Sequence, residues 1–362
     1  GAVTTNQVAE AVAPPATLTP SPNVCGQTWQ SLPPSGTSIS DYYMFDTSNV
    51  QHSDAWDGFG TVTVGPAANT YAGGSVISGT NDYANQIMTG SAVTNAVTGL
   101  SVVVSDKFMS NYTAMRQLIS VTNTTGSSMT TFVQMYGNLG SDGGETQITS
   151  DNDTALETTD TWIVSNDSGP YDPVLSWGFQ DANSQLAPYS LGKSGDNQYF
   201  IWNLTIPANS TKRIMIMHGF AGVNSCANTR AAAITGQSLW SSGTTMPDEF
   251  KNDLSSQTLS EIVNWGFAPG VSSFTNTTAT PTNATTIDYS LVLSQSVADL
   301  ATSDFDFTGS TATGCTVSSL TGSGTAYSLA ITGCSEGNVV VNLKPNSVTG
   351  VASQTGPANS SP

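Results

Sequence analysis

Apolar residues recur at every second position over much of this chain, the period of a strand with one buried face. β-Branched and aromatic runs stand at 59–64, 100–104, 117–122 and 131–136. Turn-forming clusters, Gly73-Gly74, Asn123-Thr124-Thr125-Gly126 and Ser141-Asp142-Gly143-Gly144, punctuate them. A further run at 199–206 ends at Pro207, and 213–218 reads as its hairpin partner across Ala208-Asn209-Ser210. Many strands with short turns predict a large β-sandwich over 38–270. Helix is expected only at the end of this domain. Residues 228–240 are Ala-rich, and Thr258-Leu259-Ser260-Glu261 has capping-box spacing before Ile262-Val263-Asn264-Trp265. This short helical cap should cover an open end or edge of the sandwich.

Residues 271–285 are rich in Thr and Asn, contain Pro281, and read as a linker. Strict alternation then resumes at Ile287, Tyr289, Leu291 and Leu293, at Phe305 and Phe307, at Tyr327, Leu329 and Ile331, and at Val339, Val341 and Leu343. That pattern predicts a second, small antiparallel sandwich over 286–362. Residues 1–37 form a Pro/Thr-rich tail in which proline favours extended chain. A strand within it is a candidate for donation to a neighbouring copy.

Charge narrows the functional classes. The chain has 8 Lys+Arg against 26 Asp+Glu, a net charge of -18, and only 9% charged residues. Nucleic acid and anionic lipid both demand Lys/Arg against phosphate, so both are excluded as partners. No run approaches the ~18 apolar residues of a membrane span, and no membrane insertion is expected. The N-terminus lacks a basic-then-apolar pattern, as in a secreted chain whose signal peptide has been removed. The four cysteines read as two disulfides, Cys25–Cys226 and Cys315–Cys334, against the alternative of four free thiols in a reducing cell. No Cys/His spacing suggests zinc. The shorter bridge would contribute about 3 kcal/mol.

Candidate chemistry is sparse. His52 and His218 are the only histidines, far apart, and no Gly-x-Ser-x-Gly motif accompanies them. His218 reads as a strand-end residue with a local hydrogen bond. Acidic residues crowd two loops, one with Asp142, Glu145, Asp151 and Asp153, the other with Asp160, Asp167 and Asp172. Oxygen-rich loops suit calcium, and the first set is the candidate site, although its spacing matches no defined calcium motif. A glycosidase needs a carboxylate pair, but among 26 acids no pair stands out. Of the seven tryptophans, Trp162 and Trp202 read as core, while Trp177 is a candidate for stacking on a sugar. Asn-x-Ser/Thr sequons occur at Asn111, Asn123, Asn152, Asn166, Asn203, Asn209, Asn276, Asn283 and Asn359, close to the number chance gives at this composition.

Two resemblances add to this reading. The residues 300–305, Gly314-Cys315-Thr316-Val317, 322–327 and Thr332-Gly333-Cys334 resemble bacterial Ig-like domains of surface-layer proteins and adhesins over about 287–358. The segments 57–61, 137–142, 158–164 and Ile206-Pro207-Ala208 resemble a β-rich region of bacterial secreted and cell-surface proteins over about 46–222. The resemblances imply an all-β chain: a large β-sandwich with a short helical cap, then a small Ig-like β-sandwich. They imply an extracellular location and no known catalytic activity. The expectation is therefore a non-catalytic structural protein, self-assembling head-to-tail with copies of itself as a filament or surface layer through its N-terminal segment. An adhesin or glycan-binding module, stabilised by calcium and partnered by surface glycans, is the alternative. A secreted carbohydrate-active enzyme is the third reading.

Overall fold

The computed structural model describes residues 6–8, 17–18, 24–26, 28–31, 39–52, 55–66, 79–82, 87–90, 92–94, 99–140, 146–166, 172–267, 269–297, 299–345, 347–349 and 355–356. Most of the expected tail, together with Asp142, Glu145, Asp167 and Asn359, lies outside the described residues. The fold is all-β, as the alternation predicts. The chain divides into two compact units, residues 1–250 with 263–265, and residues 251–262 with 266–362.

The first unit is a sandwich of two antiparallel sheets. A five-stranded sheet runs in the order Asn6–Val8, Trp56–Gly65, Met129–Leu139, Asn197–Ile206, Ser190–Ser194. A nine-stranded sheet has Ala114–Asn123 near its centre, between Leu100–Phe108 and Ser210–Phe220. Alternation explains the layer between them. Val62, Val64, Val133, Met135, Phe200 and Trp202 from one sheet share a buried cluster with Val102, Val104, Ile119, Val121, Ile214 and Ile216 from the other. Phe200 centres it, with ring centroids 4.9 Å from Phe179 and 6.4 Å from Trp177.

Three expectations need correction. Strands Asn197–Ile206 and Ser210–Phe220 do not form a hairpin: they pair into different sheets. The connection crosses the sandwich because Asn123, buried at a strand end, holds it. Its Nδ2 donates to the carbonyls of Ile206 and Pro207, both at 3.1 Å, and of Ser127 at 2.8 Å. Asn209 then turns in the left-handed region, φ 51°.

The helical segment is the second correction. Helix Arg230–Gly236 is capped by Thr229, whose hydroxyl accepts from the Ala232 N–H at 3.2 Å. The 3₁₀ turn that follows carries Trp240 onto the broad outer face of the nine-stranded sheet, not its end or edge. Gly178 and Gly219 make the room: a Cβ at Gly178 would stand 2.5 Å from Trp240 Cδ1. Phe250 packs edge-on against Trp240, and Arg116 Nη1 donates to the Phe250 carbonyl at 2.7 Å. The later helix spans Ser256–Glu261 and starts at Ser255, not Thr258. The Ser255 hydroxyl accepts from the Thr258 N–H, and Ile262 is already extended.

The third concerns the expected linker. Val271–Asn276 is a strand, paired with Thr286–Val297, because Phe274 has an apolar cluster to enter. Strand Thr286–Val297 pairs in turn with Thr316–Thr332, and Phe305–Asp306 pairs with Asn342–Leu343. Leu291, Leu329, Ile331, Val341 and Leu343 close the core of this small β unit. Cys315 and Cys334 sit at disulfide distance at the base of its long strand, Cα–Cα 4.2 Å, and Cys25 and Cys226 do so in the first unit, Cα–Cα 5.5 Å.

The Asn123 clamp gives a direct test. Asn123→Ala removes the amide donor of the buried Ile206 carbonyl and unties the exposed Ser127 and Pro207 carbonyls, and should destabilise the first unit by about 1–3 kcal/mol. Chemical denaturation of the variant against the parent measures it.

Candidate functional site

The two histidines occupy opposite situations. His52 is buried, with its Nε2 3.1 Å from Asp46 Oδ2. The Asn228 carboxamide is fixed in orientation because its Oδ1 accepts the Val174 N–H at 2.7 Å. Its Nδ2 therefore faces His52 Nδ1 at 3.1 Å, and the network assigns the proton to Nε2. Asp46 receives the backbone N–H groups of Val50 and Ser48, and these with His52 hold its carboxyl below the usual carboxylate range. Both ring nitrogens are engaged, so His52 ties three loops together and has no free lone pair for base catalysis.

His218 is fully buried on the inner face of the nine-stranded sheet, with Trp56 edge-on at 6.3 Å. Burial alone pushes its imidazole down to about 3. It stays neutral wherever the protein is folded at ordinary pH, and it is sealed from any substrate.

The acidic loop splits. Asp151 and Asp153 each place Oδ1 within reach of the Thr149 hydroxyl, at 2.8 and 3.1 Å. Asp160 is buried nearby. Its carboxyl takes the Ser150 hydroxyl at 3.1 Å and the Glu157 N–H at 2.8 Å. Burial, with a smaller push from Asp151, raises it above the ordinary value despite those bonds. Among the described residues no group of three or more His, Cys, Asp or Glu is arranged to hold a metal ion.

Nor do the tryptophans whose side chains are described offer a sugar platform. Trp177 is in the core with Trp56, Trp202, Trp240 and Trp265, and Trp162 is half-buried. The sequons separate cleanly. Asn123 is the buried clamp, and its amide is already committed to three carbonyls, so it cannot accept a glycan in the folded chain. Asn111 is exposed but donates its amide to Glu249 Oε2 at 2.9 Å. Asn152, Asn203, Asn209, Asn276 and Asn283 are exposed, and Asn166 is half-buried.

The surface that does suit a ligand is one the strand pattern alone did not single out. Tyr189 is 58% exposed, the most exposed large hydrophobic side chain among the described residues. It stands beside edge strand Ser190–Ser194, fixed by its N–H on the Ile201 carbonyl at 2.7 Å. Its ring meets Phe132 edge-on, centroids 5.1 Å apart. Phe132 faces outward from the five-stranded sheet, directly across the ladder from exposed Asn203. Thr130 and Thr205, also exposed, share a hydrogen bond at 2.9 Å on the same face. These five side chains form an uncharged shelf of two rings, one amide and two hydroxyls. The signal in the sequence was Phe132 itself, an aromatic on the wrong phase of a strand whose inward positions are Val133 and Met135. Finding Tyr189 beside it required the register.

No protein-family model and no curated protein matches this chain. Among solved structures it is similar to a putative kojibiose phosphorylase from human microbiome, at 9% identity and TM-score 0.38, over 61% of this chain and 31% of that one. It is similar also to a galactose mutarotase related enzyme from Lactobacillus acidophilus, at 10% identity and TM-score 0.36, over 60% of this chain and 98% of that one. A galactose mutarotase-like protein from Lactobacillus casei matches at 10% identity and TM-score 0.35, over 54% and 97%. Proteins named for work on sugars run against the expectation of a non-catalytic filament or surface-layer subunit, and that expectation is withdrawn. The chain's own register agrees with the withdrawal: Asn6–Val8, within the segment expected to be donated, pairs with Trp56–Gly65 of its own sheet. At this identity the likenesses transfer no activity or site to this chain.

The His218 environment makes a signed prediction. Its folded value lies below its unfolded value of about 6.5, so the unfolded chain binds the extra proton between those limits. The contribution is complete above pH 6.5 and is lost as pH falls toward 3. Between pH 6 and pH 4 the stability of His218→Gln should fall less steeply than the parent's, by about 1.4 kcal/mol per pH unit. Urea denaturation across that range reads the difference.

Proposed function

We propose that this chain is an extracellular carbohydrate-active protein that engages neutral glycan chains on the solvent face of its five-stranded sheet. The Tyr189–Phe132 shelf carries the reading. The exposed Tyr189 ring, extended by half-buried Phe132, offers an apolar face to sugar C–H groups, and Asn203, Thr130 and Thr205 offer hydrogen bonds to hydroxyls. An exposed tyrosine seated on a half-buried phenylalanine and flanked by exposed hydroxyl and amide side chains is the kind of patch that marks a contact surface. Charge supports neutral over acidic glycans: a chain of net charge -18 with 8 basic residues repels polyanions.

The setting belongs to the same proposal. Two cysteine pairs at disulfide distance fit an oxidising environment, and no helix among the described residues is long and apolar enough to cross a membrane. Secretion, a bacterial cell-surface location and an Ig-like character for the small β unit complete the reading, with that unit as a spacer.

Isothermal titration with neutral polysaccharides tests it. Tyr189→Ala should weaken binding at least tenfold, about 1.4 kcal/mol, with Phe132→Ala close behind. Affinity should be nearly flat between low and high salt, since no ion pair contributes. Unchanged affinity in Tyr189→Ala would sink the assignment of the shelf.

A further inference from the structure

One buried acid is used neither by the apolar core nor by the shelf. Asp106 lies on the inner face of strand Leu100–Phe108, in phase with Val102, Val104 and Phe108, and is fully buried. Neither of its carboxyl oxygens has a hydrogen-bond partner. Directly across the ladder stands Gln117, also fully buried, with its Oε1 equally without a donor. The Gln117 Nε2 donates to the Gly60 carbonyl of the facing sheet at 3.1 Å, and that bond fixes the amide. Turning the amide over to serve Asp106 would set Oε1 against the Gly60 carbonyl, acceptor against acceptor. Two acceptor groups thus occupy one rung of the ladder, within cross-strand reach, with no donor between them.

The charged groups on the packed elements do not answer Asp106. Lys107 and Arg116 are the adjacent residues on the same two strands, so alternation turns them to the opposite face. There Lys107 donates to the Glu249 carbonyl at 2.6 Å and Arg116 to that of Phe250 at 2.7 Å. On strand Ser210–Phe220, Arg213 pairs with Ser120, in the outward phase of Arg116. Lys212 pairs with Val121, four residues from Gln117 and about 13 Å away along the strand. His218 shares the inner face, opposite Met115, with Trp56 edge-on against it. Met88, the other ladder partner of Asp106, carries no charge. Strands Asn6–Val8 and Met129–Leu139 carry no acidic or basic residue. On strand Trp56–Gly65 that residue is Asp57, whose side chain lies outside the described residues.

We propose that Asp106 is held as the neutral carboxylic acid and donates its proton to Gln117 Oε1. A buried carboxylate with no counter-charge is strongly disfavoured, and taking up a proton removes that cost. The proton satisfies Gln117 Oε1 as well, and the acid carbonyl left over is uncharged. His218 is the complement on the same face, its imidazole pushed down to about 3 by burial. In the unfolded chain between about pH 4 and pH 6.5, the carboxyl has lost its proton and the imidazole has gained one. The folded chain holds the acid and the neutral ring. The proton count is the same, so the pair leaves stability flat across that range. Above about pH 6.5 the folded chain holds one proton more, and stability falls as pH rises. Below about pH 4 it holds one fewer, and stability falls as pH drops. The inner layer is thus a pH-sensitive device that centres the fold on a mildly acidic medium. It does not depend on the glycan reading.

Infrared spectroscopy of the intact chain and urea denaturation against pH test it. A protonated-carboxyl band should be present at about pH 7, where ordinary carboxylates are ionised. The band should vanish in Asp106→Asn, whose amide can make the same bond to Gln117 Oε1. It should persist in Asp160→Asn, which removes a second carboxyl that burial raises. In urea, the folding equilibrium constant of the parent should fall about tenfold per pH unit relative to Asp106→Asn between about pH 5 and pH 7, about a hundredfold in all. No band in the parent overturns the proposal, as does a band that survives Asp106→Asn or is lost in Asp160→Asn. Parallel stability profiles for the parent and Asp106→Asn overturn it too.

Discussion

The fold rests on one buried apolar layer, where the inner faces of two antiparallel sheets meet around Phe200. Trp177, Phe179 and Trp202 surround that ring from both sides. Each strand contributes every second residue to the layer, so its other residues are committed to an outer face. The two outer faces then take different courses. On the nine-stranded sheet, glycines at 178 and 219 admit Trp240, and the chain from 230 to 250 covers the face. On the five-stranded sheet, Phe132, Asn203, Thr130 and Thr205 point outward, beside the exposed ring of Tyr189. The first face is covered by that segment; on the second, Thr63, Gln134 and Ile201 are buried too, and the side chains around Tyr189 are the ones left to solvent.

Scarcity of positive charge shapes both outcomes. Two of the eight basic residues, Lys107 and Arg116, are buried under the covering segment and bonded to its carbonyls. Few remain to build salt bridges, so solvent-facing contacts rest on hydroxyls, amides and rings. The same scarcity leaves Asp106 without a protein counter-charge on the inner face.

Much of the strand content was legible, because half-buried strands write their period into the sequence. Runs at 59–64, 100–104, 117–122 and 131–136 fall inside observed strands. Partner choice was not legible. Whether 199–206 pairs with 213–218 depends on the Asn123 side chain and the left-handed turn at Asn209, which no periodicity encodes. The Thr/Asn-rich stretch at 271–276 looked like a linker because five of its six residues face solvent or are half-buried; Phe274 alone marks it as a strand. Asp106 was visible in principle as a polar residue in the apolar phase of Leu100, Val102, Val104 and Phe108. The shelf was not, since it joins residues 57 positions apart in the chain, from 132 to 189, through ladder geometry.

Hydrogen–deuterium exchange with and without a neutral oligosaccharide tests the central claim most directly, because it locates the contact without substitution. The account predicts slowed exchange confined to the peptides around 129–133, 188–191 and 201–206. Slowing confined to the outer face of the nine-stranded sheet or to the small β unit, with none at those three segments, would contradict it.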